Sequence, residues 1–343
     1  MKPDKIKAGG EPPRPSGAGT YSVRTDLALE AREMRDEDEI DGVEAHEKDF
    51  FDGKIKVTWV EITNERGAKA LGKPMGNYVT LEAAAMKEND VEAHEEIIKI
   101  LSKHLAMLHK LDKKSSILIV GLGNWNVTPD ALGPKVVSKV LVTRHIRDLL
   151  PDNLSGGVRA VSAISPGVMG LTGIETGEII KGVVERIKPD LVIAIDALAA
   201  RKTARINATI QMSDTCVNPG SGMGNKRMRL DDETLGVPVL AIGVPTVVDA
   251  ATLVNDTMES MLSQMLENAE KGSEFYEMLR SMAEEERYSI ITEILSPYAG
   301  NMFVTPKEVD AVIDRLSNII ANALNIALHP GIGTEDINRY LYL

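Results

Sequence analysis

Two short stretches of the chain repeat one pattern, Thr128-Pro129-Asp130-Ala131-Leu132 and Ala194-Ile195-Asp196-Ala197-Leu198. Each places an Asp-Ala-Leu after an apolar run that reads as a buried parallel strand. Ile117-Leu118-Ile119-Val120-Gly121 precedes the first and Leu191-Val192-Ile193-Ala194-Ile195 the second. In open α/β sheets, reactive groups collect in the crevice beyond the carboxyl ends of the strands. Two aspartates delivered there can face one another. A carboxylate pair that shares a proton can activate a water with one member and donate a proton with the other. That is peptidase-type chemistry, with the order of roles left open. For Asp130 an equal alternative is a helix N-terminal carboxylate following Thr128 and Pro129. Asp196 ends a strongly apolar strand, so it must be paired, desolvated or placed at a site.

Other loops offer binding surface. Ser165-Pro166-Gly167-Val168-Met169-Gly170-Leu171-Thr172-Gly173 follows a strand, and Ile174-Glu175-Thr176 opens the next helix. Gly167, Gly170, Thr172 and Glu175 are candidate substrate-binding residues there, against the alternatives of a plain turn and a carboxylate serving the helix dipole. Asn218-Pro219-Gly220-Ser221-Gly222-Met223-Gly224-Asn225-Lys226-Arg227 reads as a flap or cradle, with Gly220 and Gly222 as candidates. The glycines after Val120 lack the lysine and spacing of a phosphate loop, which weakens a nucleotide-binding reading. No G-x-S-x-G elbow occurs, and none of the six histidines stands in a zinc-binding spacing, so no metal or other cofactor is expected. Cys216 is the single cysteine and reads as a passive thiol.

The elements that must position these residues follow from hydrophobic periodicity. The pattern predicts strands near 54–62 and 78–81 and a helix over 91–111. Then come strand 116–121, helix 133–147, strand 158–164, helix 174–187, strand 190–196, strand 237–243 and helix 247–267. Thr305-Pro306-Lys307-Glu308 reads as a capped start to a long helix through Leu324, and Asp249 as a cap for the helix after it. Alternation of this kind implies an α/β fold: a mainly parallel sheet covered by helices on both faces, with extra N-terminal strands and a smaller helical lobe near 265–300. Residues 1–20 are rich in Lys, Gly and Pro and read as a mobile tail. The 343 residues carry a net charge of −12, which argues against a general nucleic-acid surface. No apolar run is long enough to span a membrane and no signal-peptide core is seen, so a cytoplasmic protein is expected.

Several blocks together resemble the spore germination protease family. They include Tyr21-Ser22-Val23-Arg24-Thr25-Asp26-Leu27-Ala28-Leu29-Glu30-Ala31 and the stretches around Asp130, Gly167, Asp196, Gly220, Pro245 and Pro306, in order over nearly the whole chain from residue 21. The resemblance implies an atypical aspartic endopeptidase of endospore-forming bacteria, distantly similar to hydrogenase maturation peptidases, with Asp130 and Asp196 matching the catalytic pair. It implies action on small acid-soluble spore proteins in the spore core, a homotetramer, and a zymogen that removes its own N-terminal segment. The self-cleavage bond would join Asp26 to Leu27, dividing a mobile propeptide, 1–26, from a single peptidase domain, 27–343. Two rival readings stand beside this one: a maturation-type peptidase that recognises substrate through a bound metal, with His145 as the nearest histidine, and a non-enzymatic nucleotide-binding module.

Overall fold

The computed structural model describes residues 25–34, 40–149, 157–217, 228–268, 290–291, 293–295 and 302–341. The expected tail, Gly220 and Gly222, and most of the expected helical lobe near 265–300 lie outside these residues. The strands are β1 (Val43–Phe50), β2 (Ile55–Ile62), β3 (Gly76–Glu82), β4 (Ser116–Gly121), β5 (Ala160–Ile164), β6 (Leu191–Ala199), β7 (Thr209–Ser213), β8 (Val239–Asp249) and β9 (Phe303–Val304). They form one mixed sheet in the order β1-β2-β3-β7-β8-β6-β4-β5, with β9 paired to β8. The block β8-β6-β4-β5 is parallel, and β1-β2-β3-β7 adds an antiparallel wing joined antiparallel to β8.

Helices cover both faces, as the continuous apolar runs of β4 and β6 require. Ile117, Ile119, Ile193 and Ile195 point into a core shared with α3 (Val91–Leu108), α4 (Leu132–Val137) and α9 (Val309–Leu328). Alternate residues Leu118, Val120, Val192 and Ala194 point the other way, toward α6 (Thr176–Ile187) and α7 (Asp232–Leu235). On that second face the antiparallel wing is covered by α1 (Ala28–Glu33) and α2 (Glu65–Leu71). A short α5 (Met169–Thr172) precedes α6, and α8 (Ala250–Asn268) follows β8 with Asp249 accepting from the Thr252 N–H at 2.8 Å.

The strand expected over 237–243 runs on to Asp249 as β8, so the next helix starts at Ala250 rather than 247, and two other expected elements differ. The helix predicted over 133–147 stops at Val137, because the chain beyond it zips onto the edge of β5. The Thr143 and Arg144 N–H groups both donate to the Val161 carbonyl, and the Thr143 hydroxyl accepts from the Val161 N–H. Thr305 does not cap α9. Its hydroxyl donates to the Thr246 carbonyl at 2.9 Å, tying the start of the helix to β8 instead.

Candidate active site

β4 and β6 are neighbours, with Gly121 opposite Ile195. The ladder runs one residue further, since the Leu122 N–H donates to the Ile195 carbonyl at 2.8 Å. The chain then turns back on itself. The Asn124 N–H donates to the Asp130 carbonyl at 3.0 Å, and Thr128–Asp130 form a single 3-10 turn opened by Pro129. The Thr128 hydroxyl donates to Asp310 at 2.8 Å, fixing this turn to the start of α9. α4 follows at once, and Gly133 in its first turn lies on the strand backbone. A Cβ there would overlap the Leu122 carbonyl oxygen and sit 2.6 Å from that of Ile195. Ile195 immediately precedes Asp196. The two aspartates therefore leave adjacent strands at the same end of the sheet, one on a turn held by three anchors and the other within β6.

Asp196 is only 5 % exposed, and one carboxylate oxygen accepts the neighbouring Ala197 N–H at 2.9 Å. It stands in a cross-sheet row, opposite Gly243 of β8, which is itself opposite Gln211 of β7. Directly opposed residues share a face, and two strand spacings set Gln211 and Asp196 about 10 Å apart. The Leu198 side chain packs over Gly243 between them, where a Cβ would strike it.

The Asp26–Leu27 junction lies at this row. Leu27 and Ala28 are fully buried. One Asp26 carboxylate oxygen accepts the Ala199 N–H at 3.0 Å, three residues beyond Asp196. The Asp26 carbonyl accepts from Lys73 Nζ at 2.9 Å and from Gln211 Nε2 at 3.3 Å, while Gln211 Oε1 accepts the Ala28 N–H at 2.6 Å. Burial pushes the Lys73 ammonium below its ordinary pKa, against the pull of Asp26, Cys216 and Glu30. Glu30, 1 % exposed, accepts the N–H groups of Arg201 and Lys202 and pairs with Arg205. Arg205 also binds Glu33 and Glu82; burial opposes its charge, and these carboxylates outweigh that and raise its pKa.

The remaining candidates serve loop geometry. Gly167 has φ +76°, Gly170 is exposed, and the Thr172 hydroxyl bonds within its own turn, to the Val168 and Ile174 carbonyls. Glu175 caps α6 by accepting the Gly177 N–H at 2.5 Å and also takes the Met228 N–H. The turn does expose Met169, Leu171 and Ile174 after β5, and Trp125 and Val127 after β4, so that end of the sheet has an apolar rim. Sequence reading did not single out Gln211, Lys73 or Arg205. The one signal for Gln211 is the alternation in Thr209-Ile210-Gln211-Met212-Ser213, which puts a polar side chain on a covered face. Among the described residues no three His, Cys, Asp or Glu side chains gather as a metal site, and no helix is long and apolar enough to cross a membrane.

The sequence profile of the germination protease family matches residues 23–274 and 261–341. This chain belongs to the germination protease family. The germination protease of Clostridium tetani is 52 % identical over 323 residues, covering 93 % of this chain and 99 % of the relative. That of Caldanaerobacter subterraneus subsp. tengcongensis is 52 % identical over 320 residues, covering 93 % and 98 %. Among solved structures, a [NiFe] hydrogenase maturation protease from Thermococcus kodakarensis aligns with 17 % identity and a TM-score of 0.30, covering 64 % of this chain and 98 % of that one. The protein is a spore germination endopeptidase, a hydrolase whose substrates are proteins.

Proposed function

We propose that the protease is of the aspartic type, with Asp130 and Asp196 as its catalytic pair, and that it acts on small acid-soluble spore proteins. The reading rests on one observation: the turn carrying Asp130 is anchored beside Ile195, the residue before Asp196. A water held between the carboxylates loses a proton to the ionised member as its oxygen attacks the peptide carbonyl. The protonated member then supplies the proton that the departing amine needs. The pair titrates jointly, so acid and base are roles of the pair rather than of either residue. No cofactor enters this chemistry.

The same reading makes the chain a zymogen that cuts its own Asp26–Leu27 bond, works in the spore core and assembles as a homotetramer. Substrate contacts fall to the Gly167–Glu175 turn and to Gly220 and Gly222. The test uses Asp130→Asn and Asp196→Asn, which keep shape and remove the shareable proton. Each folded variant is expected to leave a purified small acid-soluble spore protein intact and to keep its own N-terminus, whereas the wild-type chain begins at Leu27 after maturation. A folded variant that retains more than about a tenth of wild-type turnover, a barrier change below about 1.4 kcal/mol, sinks the dyad.

A further inference from the structure

Residues 26–30 sit in the protease as a bound peptide sits in its receptor. Gln211 donates to the carbonyl before Leu27 and accepts from the N–H after it, as a neighbouring strand would. Such contacts read backbone and are indifferent to side chains. Two further contacts read charge: the Ala199 N–H takes the Asp26 carboxylate, and the N–H groups of Arg201 and Lys202, with Arg205, take Glu30. Between them Leu27 and Ala28 are sealed from solvent. These contacts form a cradle that holds an acidic residue, a large apolar one, a small one, and a glutamate four positions after the acid.

We propose that this cradle is where the protease reads its protein substrates, and that residues 26–30 of its own chain occupy it as a resident competitor. The inference rests on the dyad and junction proposed above. Two chains cannot make these bonds at once, so the resident segment must yield before a substrate binds. Cleavage itself loosens it. Water oxygen joins the Asp26 carbonyl carbon, the C–N bond breaks, and both protons of the water end on the Leu27 nitrogen, which becomes an ammonium as Asp26 gains a terminal carboxylate. Once the severed segment leaves, taking both Asp26 carboxylates with it, that cation stands beside the Lys73 ammonium, which has lost the oxygen it bound. The two like charges weaken the hold on the new N-terminus and open the cradle.

The experiment uses the matured enzyme and two peptides with the sequence of residues 23–32. One carries alanine at the position of Ala28, the other L-lactate, which replaces the N–H read by Gln211 with an ester oxygen. Wild type is expected to cleave the ester peptide with kcat/KM about tenfold lower, the loss of one buried hydrogen bond. Gln211→Met is expected to cleave both peptides slowly and equally. Lys73→Met, which leaves that N–H contact alone, keeps the tenfold ratio. An equal penalty in wild type and Gln211→Met overturns the proposal. If Gln211→Met does not fold, the wild-type ratio decides alone, and a ratio near one overturns it. Wild type that cuts neither peptide refutes the underlying junction reading, whereas cutting both equally at Asp-Leu refutes only the cradle.

Discussion

Replacing Gly133 by alanine adds one methyl group and tests whether the close approach of α4 to the strands sets the catalytic geometry. The new Cβ would overlap the Leu122 carbonyl oxygen and lie 2.6 Å from the Ile195 carbonyl oxygen and from the Leu122 nitrogen, where ordinary contacts begin at 3.4 Å. All three atoms are backbone of paired strands, so they cannot swing aside as a side chain would. α4 and the Asp130 turn before it must instead move away from β6 by about 1 Å. A displacement of that size between reacting groups costs about 100-fold in rate. The stability cost of overpacking is about 1–3 kcal/mol, small enough to leave the protein folded. Proteolysis of a small acid-soluble spore protein, measured beside a denaturant titration, separates the two effects. Turnover is expected to fall about 100-fold while the unfolding transition stays cooperative. A Gly133→Ala enzyme with wild-type turnover would falsify the view that this contact positions Asp130 against Asp196.

Two other outcomes are expected. His329 is fully buried, its Nδ1 has no hydrogen-bond partner among the described residues, and burial lowers its pKa from 6.5 to about 4. Between those values the unfolded chain binds a proton that the folded chain does not. Stability is therefore complete above pH 6.5 and falls as the pH drops toward 4, by up to about 3 kcal/mol; His329→Gln should remove this dependence in urea titrations, and an unchanged slope refutes the assignment. Arg205→Met leaves the buried Glu30 with the Arg201 and Lys202 N–H groups and the Thr25 hydroxyl but no cation, and it should cost about 3 kcal/mol. A loss below about 1 kcal/mol would show that these neutral donors satisfy Glu30 without Arg205.

The parallel block was legible in the sequence because its strands are buried on both faces and read as unbroken apolar runs, Ile117–Val120 and Leu191–Ile195. The second run also drew attention to Asp196, a carboxylate set directly after it, although β6 continues to Ala199, whereas Asp130 lies nine residues past β4 and stood out only through the repeated Asp-Ala-Leu. β1 was not legible: Val43–Phe50 is an edge strand carrying Glu44, Glu47, Lys48 and Asp49, and only its pairing with β2 makes it a strand. β7 is five residues long with polar residues at alternate positions, a pattern shared with many loops. Gln211 could not be assigned a partner from the sequence, because the Asp26 carbonyl and Ala28 N–H that it binds lie about 185 residues earlier in the chain. Local pattern determines which segments become strands and helices, since periodicity and capping act over a few residues. Which strands become neighbours is a long-range outcome of packing, and here it decided that β6 lies beside β4 and that the buried N-terminal segment ends on the row of Asp196.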